Sequence, residues 1–173
     1  MAKKAKKAKK TRKVAPVPEG FHTLTPTLIV RDAPKAVEFY KQAFGAKVRG
    51  VHYTPDGKVM HADLKIGDSI FFFSEEFPDM KCLSPLARGG TSVTIHIYCE
   101  NVDAGFNKAI AAGAKVVMPL MDSFWGDRFG QLEDPFGHRW SMGTHKEDLT
   151  KEEIEERAKA VFTKMATQAK AGS

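Results

Sequence analysis

The stretch that decides the fold is 118–145, MPLMDSFWGDRFGQLEDPFGHRWSMGTH. It holds both tryptophans of the chain and two turn signals, Trp125-Gly126-Asp127 and Asp134-Pro135-Phe136-Gly137. Clusters of glycine, proline and aspartate reverse the chain between strands. The stretch therefore predicts a pair of strands, which we interpret as the flanks of a ligand-binding cup that the remaining residues support.

Upstream of this stretch, the first half of the chain is predicted to form a β-α-β-β-β unit. The residues from His22 to Val30 alternate as in a strand, and Asp32 is a candidate helix cap. Gly45 ends the predicted helix. Three short strands follow, at 47–53, 59–66 and 69–73.

The second half repeats this order of elements. Ser92 to Cys99 is a predicted strand, and Asn101 or Asp103 caps a helix that ends at Gly113. Both predicted helices are followed by the same tetrapeptide, Gly-Ala-Lys-Val, before the next strand. A repeat of this size predicts two similar half-units whose sheets complete one another.

The two ends of the chain differ from its centre in composition. Residues 1–13 carry eight of the 27 basic side chains and no acidic one, so the remaining residues contain 19 basic and 21 acidic side chains. Residues 1–20 are therefore predicted to be a disordered basic arm and linker, with weak polyanion binding by 1–13 as an open alternative to a solvated tail. Residues 147–173 are predicted to form an amphipathic helix and tail, begun by a Thr150 and Glu153 capping box.

The composition excludes several classes of protein. No apolar run has the roughly 18 residues that a spanning helix needs, and the amino terminus lacks an apolar signal segment. Cys82 and Cys99 lie far apart without metal-binding spacing, so neither a disulfide framework nor a zinc site is indicated. We expect a soluble cytoplasmic protein without a membrane partner.

The repeat and two motifs together resemble the vicinal-oxygen-chelate superfamily, which contains glyoxalases, extradiol dioxygenases, and bleomycin and fosfomycin resistance proteins. The motifs are DPFGHRW at 134–140 and FWGDRFG at 124–130, of which the second is similar to the branch of the phosphonate-operon glyoxalase-like protein. The resemblance implies an α+β fold, in which two paired β-α-β-β-β modules form a cupped mixed sheet. It also implies a homodimer whose cups draw on both chains. The domain would then span 21–146, with module one at 21–76, a linker at 77–90 and module two at 91–146.

The resemblance also implies where a metal would bind, because the superfamily's enzymes carry ligands on the first and last strand of each module. Those positions fall on Thr25, near Phe71, on Thr94 and on Ser141. Hydroxyls and phenyl rings are poor metal ligands compared with imidazole or carboxylate. We therefore expect no cofactor at the usual site and no metal ligand among these residues, although a divalent metal held elsewhere stays open.

Strand alternation indicates which side chains would line the cup instead. Trp125, in a turn-rich loop, is a candidate lid or dimer contact, and Arg128 is a candidate for holding an anion or pairing with Asp127. The predicted ligand-binding residues are Thr25, Phe71, Phe73, Thr94, His96, Tyr98, Trp125, Arg128, Arg139 and Ser141.

Three functions remain open from the residues alone. The first is a metal-free protein that binds a hydrophobic or aromatic small molecule in the cup. The second is an enzyme: a metal-dependent lyase, isomerase or dioxygenase with relocated ligands such as His61, His96 and Glu133, or a metal-independent one that uses His96 or Tyr98 as acid or base. The third is a nucleic-acid-associated adaptor that binds through residues 1–13.

Overall fold

The structure, a computed structural model, describes residues 14–171, with side chains to residue 168. The predictions for the basic arm at 1–13 lie outside the described residues. Eight strands form two four-stranded sheets, ordered β1-β4-β3-β2 in sheet one and β5-β8-β7-β6 in sheet two. The strands are β1 (Thr27–Val30), β2 (Lys47–Tyr53), β3 (Val59–Ile66), β4 (Ser69–Glu75), β5 (Thr94–Tyr98), β6 (Lys115–Asp122), β7 (Asp127–Glu133) and β8 (Arg139–His145).

The repeated β-α-β-β-β order and the α+β class are confirmed. In each sheet the first strand pairs in parallel with the fourth, and the other pairs are antiparallel. The first strand begins later than predicted, at Thr27, because Pro26 has no backbone N–H and contributes only its carbonyl, which accepts from Phe72 N at 2.8 Å. The helices are α1 (Ala33–Phe44), the short α2 (Pro85–Arg88), α3 (Val102–Ala111) and α4 (Lys151–Ala171).

Local capping chemistry sets the helix boundaries. Asp32 accepts from Lys35 N at 3.3 Å, and Gly45 ends α1 with a φ of 66° that favours glycine. Of the two candidate caps for α3, Asn101 is the one that accepts, from Ala104 N. The predicted capping box of α4 is confirmed, since Thr150 N donates to Glu153 at 2.8 Å and Glu153 N donates back to the Thr150 hydroxyl at 3.2 Å.

The two sheets and the helices α1 and α3 share one hydrophobic core. It contains Phe73 from sheet one, Tyr40 from α1, Phe106 from α3 and Trp140 from sheet two. Each sheet therefore turns one face toward α1 and α3, and its opposite face is here called its outer face. Within residues 14–171, no helix is long and apolar enough to cross a membrane.

A buried carboxylate joins the two halves of the core. Asp134, 3% exposed, accepts from the Tyr40 hydroxyl and from Trp140 Nε1, both at 2.9 Å. It also accepts from the backbone N–H groups of Phe136 and His138, at 2.9 Å each. Desolvation raises the pKa of Asp134, and the hydrogen bond from Trp140 acts in the opposite direction. Helix α1 of the first half is thereby tied to the β7–β8 hairpin of the second.

Replacing Tyr40 with Phe should destabilise the protein by about 1–3 kcal/mol, because the ring stays packed while the buried carboxylate loses one donor. Urea denaturation monitored by circular dichroism measures the change. The matched control is Tyr53→Phe, whose ring is 63% exposed. Equal stability of the two variants would contradict the proposed role of this contact.

Candidate ligand-binding site

The outer face of sheet two carries four aromatic rings in contact, here called the aromatic face: His96, Tyr98, Trp125 and Phe129. The His96 ring lies 4.4 Å from that of Tyr98 and stacks on Phe129 at 6.0 Å, with an interplanar angle of 14°. The Trp125 ring meets Phe129 edge-on at 5.4 Å. Tyr98 is 66% exposed and Trp125 36% exposed, so the cluster presents ring surface to a ligand.

Asp127 holds two of these rings in place. Its carboxylate is 4% exposed and accepts from the Tyr98 hydroxyl at 2.9 Å, from Trp125 Nε1 at 3.0 Å and from His145 Nδ1 at 2.8 Å. Desolvation opposes ionisation, but the hydrogen bonds from His145, Tyr98 and Trp125 outweigh it, so the pKa of Asp127 lies below its ordinary value of 3.8. The ionised carboxylate orients Tyr98 and Trp125 at neutral pH.

The turn before β7 fixes the loop that bears Trp125. Gly126 has a φ of 95°, and a Cβ at this position would lie 2.4 Å from the Glu147 carbonyl oxygen. The Gly126 carbonyl accepts from Lys146 N at 2.9 Å and from Glu147 N at 3.0 Å. The segment after β8 therefore clamps this turn, and any side chain at Gly126 would force the two apart.

His96 is placed to offer one ring nitrogen to a ligand. Its Nδ1 lies 2.8 Å from the Ser141 hydroxyl, which is opposite on β8. Gly143 leaves space for the ring, since a Cβ there would lie 3.2 Å from His96 Cε1. Desolvation lowers the pKa of His96, against the opposing charge of Asp127, so the imidazole is neutral at pH 7.

Two predicted cup residues, Phe71 and Phe73, face the other way. They are 5% and 0% exposed, and their rings pack on Tyr40 of α1 at 5.3 Å and 5.9 Å. The prediction that Phe73 lines the cup is wrong, whereas Phe71 borders a cavity of about 330 Å³ that His96 and Tyr98 also line. The outer face takes Phe72 instead, which contacts the ring of His61 at 4.7 Å.

Arg128 points toward α3 and is engaged there. Its guanidinium makes two contacts of 2.7 Å to Asp103 and a third of 3.3 Å to Asp122. The prediction of a ligand-binding Arg128 in the cup is therefore wrong, because neighbours on a strand face opposite sides and Asp127 occupies the outer one. The alternative of pairing with Asp127 is also wrong, because the ion pairs of Arg128 are with Asp103 and Asp122.

The remaining predicted residues occupy different parts of the two sheets. Thr25 precedes β1 and is half-buried. Thr94 lies opposite Arg139 at the start of β5, two pairs before His96 and Ser141. Arg139 Nη2 approaches Glu133 at 3.3 Å.

The residues do not fit the metal that the fold family implies. Among residues 14–171, no group of three His, Cys, Asp or Glu side chains is placed to hold a metal ion. The relocated set is divided, because His61 lies on β3 with its Nε2 2.6 Å from Asp63, whereas His96 and Glu133 belong to sheet two. Ser141, at a usual ligand position, bonds His96 instead.

Comparison with known proteins identifies the family of this fold. The model of the glyoxalase/bleomycin resistance protein/dioxygenase superfamily matches residues 21–142. The chain belongs to this superfamily. The resemblance inferred from the two motifs is thus confirmed, and α4 lies beyond the matched region.

Relatives of this superfamily member include proteins without an assigned function. An uncharacterized protein of Mycobacterium tuberculosis is 44% identical over 135 residues, which cover 76% of this chain and 79% of the relative. Among solved structures, TioX from Micromonospora sp. ML1 has a TM-score of 0.57 and 29% identity, over 70% of this chain and 97% of TioX. The fosfomycin resistance protein FosX from Mesorhizobium loti, with a TM-score of 0.52 and 17% identity over 71% of this chain and 91% of FosX, shares the fold.

The contact between His145 and Asp127 should stabilise the protein in a defined pH window. Hydrogen bonds to Asp148 and Asp127 raise the pKa of His145 above its ordinary value of 6.5. The stability that protonated His145 contributes is therefore complete below pH 6.5 and is lost as the pH rises through its raised pKa. The stability that ionised Asp127 contributes is lost as the pH falls through its lowered pKa, which lies below 3.8.

The stability difference between the wild type and His145→Gln should therefore be larger at about pH 5.5 than at about pH 9. Urea denaturation at both pH values measures it, with His22→Gln as an exposed-histidine control. A difference that is independent of pH would show that the ion pair is not formed.

Proposed function

We propose that this protein binds a small hydrophobic or aromatic molecule without the metal on which the enzymes of its superfamily depend. The observation that carries the proposal is the aromatic face, whose rings are partly exposed and are oriented by a buried carboxylate. Ordering these rings before the ligand arrives lowers the entropic cost of binding. A flat ligand that stacks on Trp125 and His96 suits this surface.

The donor atoms at the usual metal positions support a metal-free site. Thr94 and Ser141 offer neutral hydroxyls, and the Ser141 oxygen lies 2.8 Å from His96 Nδ1. A divalent cation would have to compete with this hydrogen bond for a weak ligand. The same hydrogen bond instead fixes the orientation of an imidazole that contacts the ligand.

We infer further that the cup is completed by a second copy of the chain. The outer face of sheet one carries its own aromatic group, in which Phe72 lies 5.7 Å from Phe21 and 4.7 Å from His61. Within one chain, the sides of both sheets that face α1 and α3 share a single core. Sheet one of one protomer opposite sheet two of its partner would enclose a planar ligand between two sets of rings.

Proton-transfer catalysis is the second candidate, and the state of His96 favours it. The lowered pKa keeps the imidazole neutral and able to accept a proton. Tyr98 is less suited as a base, because its hydrogen bond to Asp127 raises the pKa of the phenol. Loss of turnover with retained ligand affinity in His96→Gln would identify an enzyme.

A planar neutral probe, 4-nitroaniline, should quench Trp125 fluorescence in a saturable manner, because it absorbs where tryptophan emits and stacks on the aromatic face. Trp140 is 1% exposed and serves as an internal reference. Its fluorescence is measured alone in the Trp125→Phe variant. His96→Ala should weaken binding about tenfold, since a stacked ring contact contributes on the order of 1 kcal/mol. His22→Ala is the matched control.

The titration is repeated after treatment with a chelator, with unchanged affinity expected. Stoichiometric divalent metal in the purified protein together with loss of binding after chelation would favour the metal-dependent enzyme. Failure of 4-nitroaniline to quench Trp125 at any concentration would contradict the stacking site itself.

Sedimentation velocity should show a dimer of the wild-type protein at micromolar concentration. Phe21→Asp, on the outer face of sheet one, should shift it toward monomer, because a charge in that interface would be desolvated. Leu24→Asp, at a side chain that is 86% exposed, is the control and should remain dimeric. A monomeric wild type would contradict a cup shared between two chains.

A further inference from the structure

A groove lies between β1 and β5, each of which is an edge strand of its sheet. Its volume is about 570 Å³, which falls in the range of small-molecule sites. We propose that this groove is a second binding site, for an amphipathic molecule with an anionic head group.

Two guanidinium groups give the groove its charge. Arg88 and Arg139 line it, and no carboxylate does among the described residues. Arg139 Nε is buried and has no hydrogen-bond partner among residues 14–171, while Nη2 makes a single contact of 3.3 Å with Glu133. The Arg139 side chain as a whole is 31% exposed and lines the groove, so it can meet an acceptor there. A guanidinium binds carboxylate or phosphate through two parallel donors.

Arg88 leaves its charge available at the rim. In the part of the chain that the structure describes, its side chain makes one hydrogen bond of 3.5 Å, to the Lys81 carbonyl, and no ion pair. A long side chain at the surface can therefore close over the head group that Arg139 holds from below. Two cations line the groove and no carboxylate lines it among the described residues, so it favours an anion and disfavours the basic residues 1–13 of the chain itself.

The histidine of the groove is structural. His138 is 8% exposed, and its Nε2 lies 2.9 Å from the Ile29 carbonyl. This contact ties the edge of β1 to the β7–β8 turn. Because His138 Nε2 is already paired with the Ile29 carbonyl, Arg88 and Arg139 are the groups that would bind the head group.

The rest of the lining is mainly apolar and suits a hydrocarbon body. The contributing side chains include Leu28, Ile29, Leu83, Pro85 and Val93. A chain of about eight carbons would be stabilised by burying its CH₂ groups against these side chains. An alkyl carboxylate or alkyl phosphate therefore matches both the charge and the surface of the groove.

Ligand binding in the groove and on the aromatic face can be told apart by the fluorescence of Trp125. Trp125 does not line the groove. A ligand on the aromatic face quenches Trp125 fluorescence, whereas one in the groove leaves it unchanged, so success or failure at one site is measured independently of the other.

Isothermal titration calorimetry with octanoate, octyl phosphate and octanol tests the site. Octanoate or octyl phosphate should bind at least tenfold more tightly than octanol, and the tighter of the two anions identifies the head group. Arg139→Gln should weaken anion binding at least tenfold, and Arg88→Gln should weaken it by a smaller factor. Arg157→Gln, on α4, is the matched control and should bind as the wild type does.

Glu133→Gln provides an independent variant if Arg139→Gln fails to fold. Removing the carboxylate frees Arg139, so octanoate should bind severalfold more tightly. Equal affinity for octanol and both anions, or anion affinity unchanged in every folded arginine variant, would overturn the proposal. It would also be overturned if Arg139→Gln changed the oligomeric state but not octanoate binding, since the groove would then be a contact between copies.

Discussion

The carboxylate of Asp134 is the contact on which the arrangement of both halves depends. It accepts four hydrogen bonds in the core, one of them from Tyr40 on α1 and one from Trp140 on β8. This linkage joins the helix-facing sides of the two sheets in a single core. The opposite, outer faces of the two sheets carry the rings on which the proposed binding site rests.

A second buried carboxylate, Asp127, organises the outer face of sheet two, also by accepting several hydrogen bonds. Its pKa shifts in the direction opposite to that of Asp134. Asp134 lies deep in the core, where desolvation raises its pKa. Asp127 lies just below the surface and accepts from His145, Tyr98 and Trp125, which lower its pKa despite desolvation. Depth of burial relative to donor strength decides the direction in which the pKa of each carboxylate shifts. The first joins elements of the fold, and the second orients the rings that contact a ligand.

The sequence predicts most of the fold and part of the site. Capping residues such as Asp32 and Thr150, and alternation on β5 and β8, lead to the observed boundaries and to the shared face of His96 and Tyr98. Residues 70–73 form a continuous apolar run, so alternation alone could not show which phenylalanines face the core.

Long-range contacts limit the prediction further. The convergence of Tyr98, Trp125 and His145 on Asp127 joins residues from separate strands, and local spacing carries no signal for it. Burial of Asp127 on the outer side also sends Arg128 toward Asp103, which a motif cannot show.

The most direct test of the metal-free account is a crystal structure grown with 4-nitroaniline and excess Mn²⁺, with anomalous diffraction to locate the metal. The account predicts probe density stacked against Trp125 and His96, and no anomalous peak within coordinating distance of Thr94 or Ser141. A manganese ion bound by His96 or His61 together with ligands from a second chain would contradict it.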